Sequence, residues 1–233
     1  MPDIAIASFD LRLQRQAESA RTAFAKNRFA DCAELCGMIL LESPGCLAVR
    51  KLLRAAQTKA GPAKAGFFSK AMGSVTSAPF WLSGGSAMQK DPLKSAQAAD
   101  KILSRDPNQV GALRMLGQAS TALGWTGTAI FAYGVIRELE PDNVPNLVAH
   151  GEALLAEGKG GDALQAAEAA LRIEPVHPGA QSLVKNASVS TAMAAGKWEA
   201  GGNYREKLHD EQKALALEQA AKLAKKPNPP SGS

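Results

Sequence analysis

Apolar and small residues recur at helical spacing along most of the chain. Phe9, Leu13, Ala17, Ala20 and Phe24 follow that spacing and predict a first helix over Ile4 to Lys26. Asn27 then makes a turn, Phe29 to Leu41 reads as a second helix, and Pro44 stops it, because proline cannot continue a helix. Leu47 to Ala60 and Pro92 to Arg105 read as another pair, the later helix carrying Ala99 and Ile102 at packing positions. Val110 to Asn143 and Val144 to His177 each read as two helices joined at a glycine. His177 to Ala195 predicts a further helix. Tyr204 to Lys225 predicts a long one with Leu208, Leu215 and Leu217 on its apolar side, and Pro227 to Ser233 reads as a disordered tail. The prediction is an all-α protein.

These helices carry an internal period. Pro107, Pro141 and Pro175 follow one another at intervals of 34 residues. Aligned on them, Leu113 matches Leu147, Gly117 matches Gly151, Gly124 matches Gly158 and Ala129 matches Ala163. The residue types have physical reasons. Gly117 and Gly151 stand where two helices must approach closely, and Gly124 and Gly158 where a helix ends in a left-handed residue. Ala129 and Ala163 let the second helix lie close against the first.

A helix-turn-helix unit of this length, with small-residue contacts and a closing proline, resembles the tetratricopeptide repeat (TPR). That family places tryptophan, leucine, glycine and tyrosine along the first helix. Here the tryptophan slot holds Leu113 and Leu147, the leucine slot Leu116 and His150, and the tyrosine slot Ser120 and Leu154. The resemblance implies a right-handed solenoid of antiparallel helix pairs forming a single domain over 1–226. Its repeats cover about 13–46, 47–109, 110–143 and 144–177, with a degenerate cap over 178–226 that ends in a capping helix.

The second repeat is interrupted. The closing proline after Pro44 is Pro107, 29 residues beyond one period, and the excess falls between the two helices, from about Gly61 to Asp91. This insertion carries Phe67, Phe68, Phe80 and Trp81, a large share of the aromatics in a chain only 5% aromatic. Burying them is worth roughly 1.5–3 kcal/mol each, whereas fixing backbone costs about 1–2 kcal/mol per residue. The insertion is therefore expected to order only against the repeats or against something else. Between Glu42 and Asp91 there is no acid, while Arg50, Lys51, Arg54, Lys59, Lys64, Lys70 and Lys90 are basic, a local +7 against +5 for the whole chain.

Candidate chemistry is sparse. His150, His177 and His209 are dispersed, and the chain contains no zinc-protease HExxH, no GxSxG and no phosphate-binding GxxxxGK[ST]. Cys32, Cys36 and Cys46 read as buried thiols at small-residue positions; a metal or redox role for the pair one helical turn apart is the alternative. No enzyme activity, metal or cofactor is expected. No window is apolar enough to span a membrane, and the start lacks a leader pattern, so the expected location is cytoplasmic.

Function is then expected on surfaces. The TPR resemblance places the first helices along a groove and assigns Ala17, Arg21, Phe24, Ala48, Lys51, Lys59, Arg114, Gln118, Thr121, Val148 and Glu152 to it. Arg21, Lys51, Lys59 and Arg114 make it basic, with Arg54 adding charge for a filament contact, so an acidic protein partner is the complement; the competing reading is that these are solvated charges. A chaperone-tail clamp is disfavoured, because Ala17 and Arg21 occupy positions where such clamps carry lysine and asparagine. As a short chain of repeats with a basic surface, the protein is similar to the bacterial kinesin-light-chain-like proteins that accompany bacterial tubulins. That resemblance implies an adaptor linking the protofilaments of a tubulin-type filament. The alternative is a peripheral tether to an anionic membrane through Phe67, Phe68, Lys70, Phe80 and Trp81. Nucleic-acid binding is not expected from so mixed a charge pattern.

Overall fold

The computed structural model describes residues 3–60 and 91–194. Among them every regular element is helical. After a 3-10 turn at Ile6–Ser8 come α1 (Leu11–Ala25), α2 (Phe29–Glu42), α3 (Leu47–Ala60), α4 (Pro92–Leu103), α5 (Val110–Leu123), α6 (Thr126–Leu139), α7 (Val144–Ala156), α8 (Gly160–Ile173) and α9, over 178–194. The described residues through Ala187 form one compact unit. Helices consecutive in sequence pack as antiparallel pairs: α1 on α2, α2 on α3, α4 on α5, and then each on the next through α8. No described helix is long and apolar enough to cross a membrane.

The period is visible in the turns. Asn27, Gly124 and Gly158 all adopt positive φ, at 57°, 72° and 79°. In each case the next amide reaches back five residues, Arg28 to Ala23, Trp125 to Ser120 and Lys159 to Leu154, satisfying a carbonyl at the helix end. Asparagine tolerates the left-handed conformation better than most residues, which explains its place in the first position of the series along the chain. The prolines recur in a second kind of turn. Pro44, Pro107, Pro141 and Pro175 follow Ser43, Asp106, Glu140 and Glu174, whose carbonyls accept from Cys46, Gln109, Asn143 and His177. Proline suits that position because its fixed φ matches the turn.

Close approach then depends on missing side chains. A Cβ on Gly117 would lie 2.6 Å from the Tyr133 ring, which α6 presses against α5. Ala129 and Ala163 are buried at equivalent positions of α6 and α8. The first core cluster runs from Phe9 to Ala56, and a separate one runs from Ala96 to Ala153.

Two expectations are corrected. The helix expected over Ile4 to Lys26 breaks at Asp10, whose carboxylate caps α1 by accepting from the Leu13 amide at 2.7 Å. The residues before the break instead reach across the fold, where the Asp3 carboxylate accepts from the Gly127 and Thr128 amides at the start of α6. Val148, assigned to an open groove, is buried and covered where α9 begins, near Gly179.

His150 occupies the leucine slot of α7 and is buried, with its Nδ1 lacking a hydrogen-bond partner among the described residues. Burial first, and then Arg137, push its imidazole below the ordinary value, with Asp162 opposing. The unfolded chain takes up a proton near pH 6.5 while the folded one resists, so stability present above that pH is lost as pH falls, by about 1.4 kcal/mol for each unit of depression.

Thermal unfolding between pH 7.5 and 5 is expected to show this loss in the intact chain and a flatter profile in His150→Leu. Parallel profiles would remove His150 as the cause. Gly117→Ala is expected to destabilise by about 1–3 kcal/mol through overpacking against Tyr133. Gly161→Ala, where nothing lies within 4 Å, is expected to be neutral or to stabilise by up to about 1 kcal/mol. Urea melts of the two variants check the contrast.

Candidate functional site

α1 and α3 stand side by side over α2, and the cleft between them has a volume of about 330 Å³. Helical spacing on α3 turns Ala48, Lys51, Leu52 and Ala55 to one side, and all four line the cleft. From the facing helix come Ala17, Ala20, Arg21 and Phe24. The walls are therefore apolar, and the two cations that line the opening, Arg21 and Lys51, are exposed. Lys59, one more step along α3, places its ammonium 6.0 Å from the centre of the Phe24 ring, and Phe24 in turn meets Phe29 edge to face at 5.4 Å. Two positive charges thus line one apolar slot and a third stands over its Phe24, with Glu18 bonded to Arg21 at 3.3 Å.

The position of α3 is set from its other side by polar side chains. α3 and α4 do not approach closely through their backbones. Instead Arg50, buried in the middle of α3, pairs with Asp100 of α4 and also donates to the Pro44 carbonyl. Gln57 donates to the Leu103 carbonyl at 3.0 Å. Arg54 donates to the Pro107 carbonyl at 2.7 Å and to Asn108 Oδ1 at 3.3 Å. Burial pushes the Asp100 carboxyl up, and the Arg50 guanidinium opposes that shift. Two of the seven bases in the acid-free stretch are therefore tied to this seam. Arg50 is neutralised by an acid from beyond the stretch, and Arg54 is half-buried with its donors turned onto the chain.

The remaining sequence-predicted residues divide. Arg21, Lys51 and Lys59 come together at the cleft. Arg114 and Gln118 are exposed on α5 and do not line it. Burial pushes the Tyr133 phenol up, Glu152 adds to the rise, and Thr121 and Arg114 oppose it. Phe67, Phe68, Lys70, Phe80 and Trp81 lie outside the described residues. Leu52, Ala55 and Ile6 were not anticipated. Leu52 and Ala55 sit at i+4 and i+7 from Ala48, so the helical period could have found them; Ile6 lies in the 3-10 turn before α1, where the helical period does not place it against the cleft.

Cys36 also borders the cleft, and the three cysteines interact in the core beneath it. Burial pushes all three thiols up, which keeps them protonated and unreactive. Among the described residues no group of three His, Cys, Asp or Glu side chains is placed to hold a metal ion. No protein-family model matches this chain, and no curated protein matches it significantly.

The seam yields a double-variant prediction. Arg50→Met or Asp100→Leu alone strands a buried charge and is expected to cost about 3–5 kcal/mol. The double variant Arg50→Met/Asp100→Leu is expected to recover most of that loss in urea unfolding. A double variant as unstable as the sum of the two would show that the pair is not the unit holding α3.

Proposed function

We propose that this chain is a non-enzymatic, TPR-type protein-binding scaffold that takes an acidic segment of its partner on the α1–α3 face. The observation that carries the reading is the grouping of Arg21, Lys51 and Lys59 around an apolar cleft. Clustered cations steer an acidic partner into encounter, and an apolar slot beside them supplies the contact that holds it. The TPR assignment is supported by the successive antiparallel pairs and by the two recurring turns, one at Asn27, Gly124 and Gly158 and one at the spaced prolines. A bacterial tubulin-type filament is the specific partner proposed, because its acidic surface complements this rim and because of the resemblance of the repeats to kinesin-light-chain-like proteins.

Co-sedimentation with polymerised bacterial tubulin tests it. The intact chain is expected to pellet with the filaments, and Arg21→Glu/Lys51→Glu/Lys59→Glu is expected to stay in the supernatant with its helical circular dichroism unchanged. Equal pelleting of both proteins would take the basic face out of the account.

A further inference from the structure

The seam between the two cores is fastened at both ends of α3. Towards its C-terminal end, Arg54 and Gln57 reach the Pro107 and Leu103 carbonyls. At its N-terminal end the fastening comes from residues ahead of α1. Asp3 accepts from the Gly127 amide at 2.8 Å, from the Thr128 amide at 3.0 Å and from the Thr128 hydroxyl, all in the first turn of α6. Ile4 donates its amide to the Gly45 carbonyl at 2.8 Å, in the turn between α2 and α3. These contacts leave no spare room. A Cβ on Gly127 would lie 2.8 Å from the Asp3 carboxylate and 2.9 Å from Leu47, and one on Gly45 would lie 2.9 Å from the Trp125 ring and 3.1 Å from Ile4.

Between its ends this arm is loosely held. Phe9 is buried in the first core, but Ile4, Ala5, Ala7 and Ser8 are exposed, and Ile6 is half-buried where it lines the α1–α3 cleft. A segment with so few buried apolar contacts opens at a lower free energy than the fold as a whole. We infer that residues 3–8 form a strap that opens and closes as a unit on the folded molecule, held shut by the Asp3 carboxylate on α6. Cys46 follows Gly45 directly and is fully buried. Burial first, with the Asp3 carboxylate adding to it, pushes its thiol up, while the Val49 and Ala48 amides and Arg50 oppose the rise. Opening the strap removes both raising causes, so the uncovered thiol gains reactivity as well as access. Opening also takes Ile6 from the wall of the cleft, and this couples α6 to the recognition face, a link that rests on the scaffold reading above.

The test is alkylation of the full chain by N-ethylmaleimide under native conditions, with each cysteine followed by mass spectrometry. Asp3→Ala is expected to speed labelling of Cys46 at least about tenfold, the factor that loss of one hydrogen bond to a charged group supplies. Cys32, buried in the first core, is expected to keep its rate. Gly127→Ala pushes the carboxylate off from the other side and is expected to act in the same way. The intact chain gives an independent reading. There, hydrogen exchange at the Thr128 amide and labelling of Cys46 are expected to yield one opening equilibrium, well above that reported by Cys32. Unchanged labelling of Cys46 in both variants would overturn the strap. Acceleration of Cys32 together with Cys46 would show loosening of the whole fold and would overturn it as well. None of these readings involves a partner, so their failure leaves the scaffold reading standing.

Discussion

The buried contact between Arg50 and Asp100 holds together two halves that otherwise have separate cores. α1, α2 and the inner face of α3 share one apolar cluster, and α4 to α7 share another. At the boundary the usual close packing of successive helices gives way to long polar side chains from α3, which span the gap and end on carbonyls and a carboxylate of α4 and its loop. An ion pair in such a place is a costly way to gain stability, because both partners lose water. What it supplies here is position. Guanidinium and carboxylate must meet in one geometry, and that geometry orients α3, with Lys51, Leu52 and Ala55 on its other side. The Asp3 carboxylate, bonded to the first amides of α6, ties the same two halves from the N-terminal arm.

Outside this boundary the architecture follows from what is missing at each helix contact. Glycine under Tyr133, alanines at the equivalent places of α6 and α8, and a proline turn after each pair let one geometry repeat with few aromatics in the core. Alanine-rich contacts bury little area per residue. Stability therefore depends on many close approaches rather than on a few large side chains, and each added methylene at such a contact is felt. The left-handed turn residues complete the scheme by ending α1, α5 and α7 with their last carbonyls satisfied.

Much of this was legible in the sequence. The prolines and glycines announce the period because each marks a backbone conformation that few other residues tolerate, and α3 and α4 emerge where the helical spacing places them on either side of the long connection. The break before α1 was not legible, since Ile4 to Lys26 has continuous helical spacing and only the cap at Asp10 interrupts it. Arg50 was counted with the other bases of the acid-free stretch, and its burial was not legible for a related reason. Nothing local distinguishes it from Lys51, and its partner lies on another helix at position 100. Of the candidate site, the cations at 21, 51 and 59 could be named from repeat position alone, whereas the apolar cleft between them exists only once α1 and α3 are set side by side. Charge at a surface is a local property and depth is not.

The basic cations and the apolar cleft are held to act as one recognition surface, and a titration of the isotopically labelled full chain with a peptide of alternating Asp and Leu, followed by amide chemical shifts, tests that most directly. The account predicts that the largest shifts fall on Arg21, Phe24, Ala48, Lys51 and Ala55, with α8 unaffected. Shifts concentrated on α6 to α8, with the amides of α1 and α3 unmoved, would contradict it.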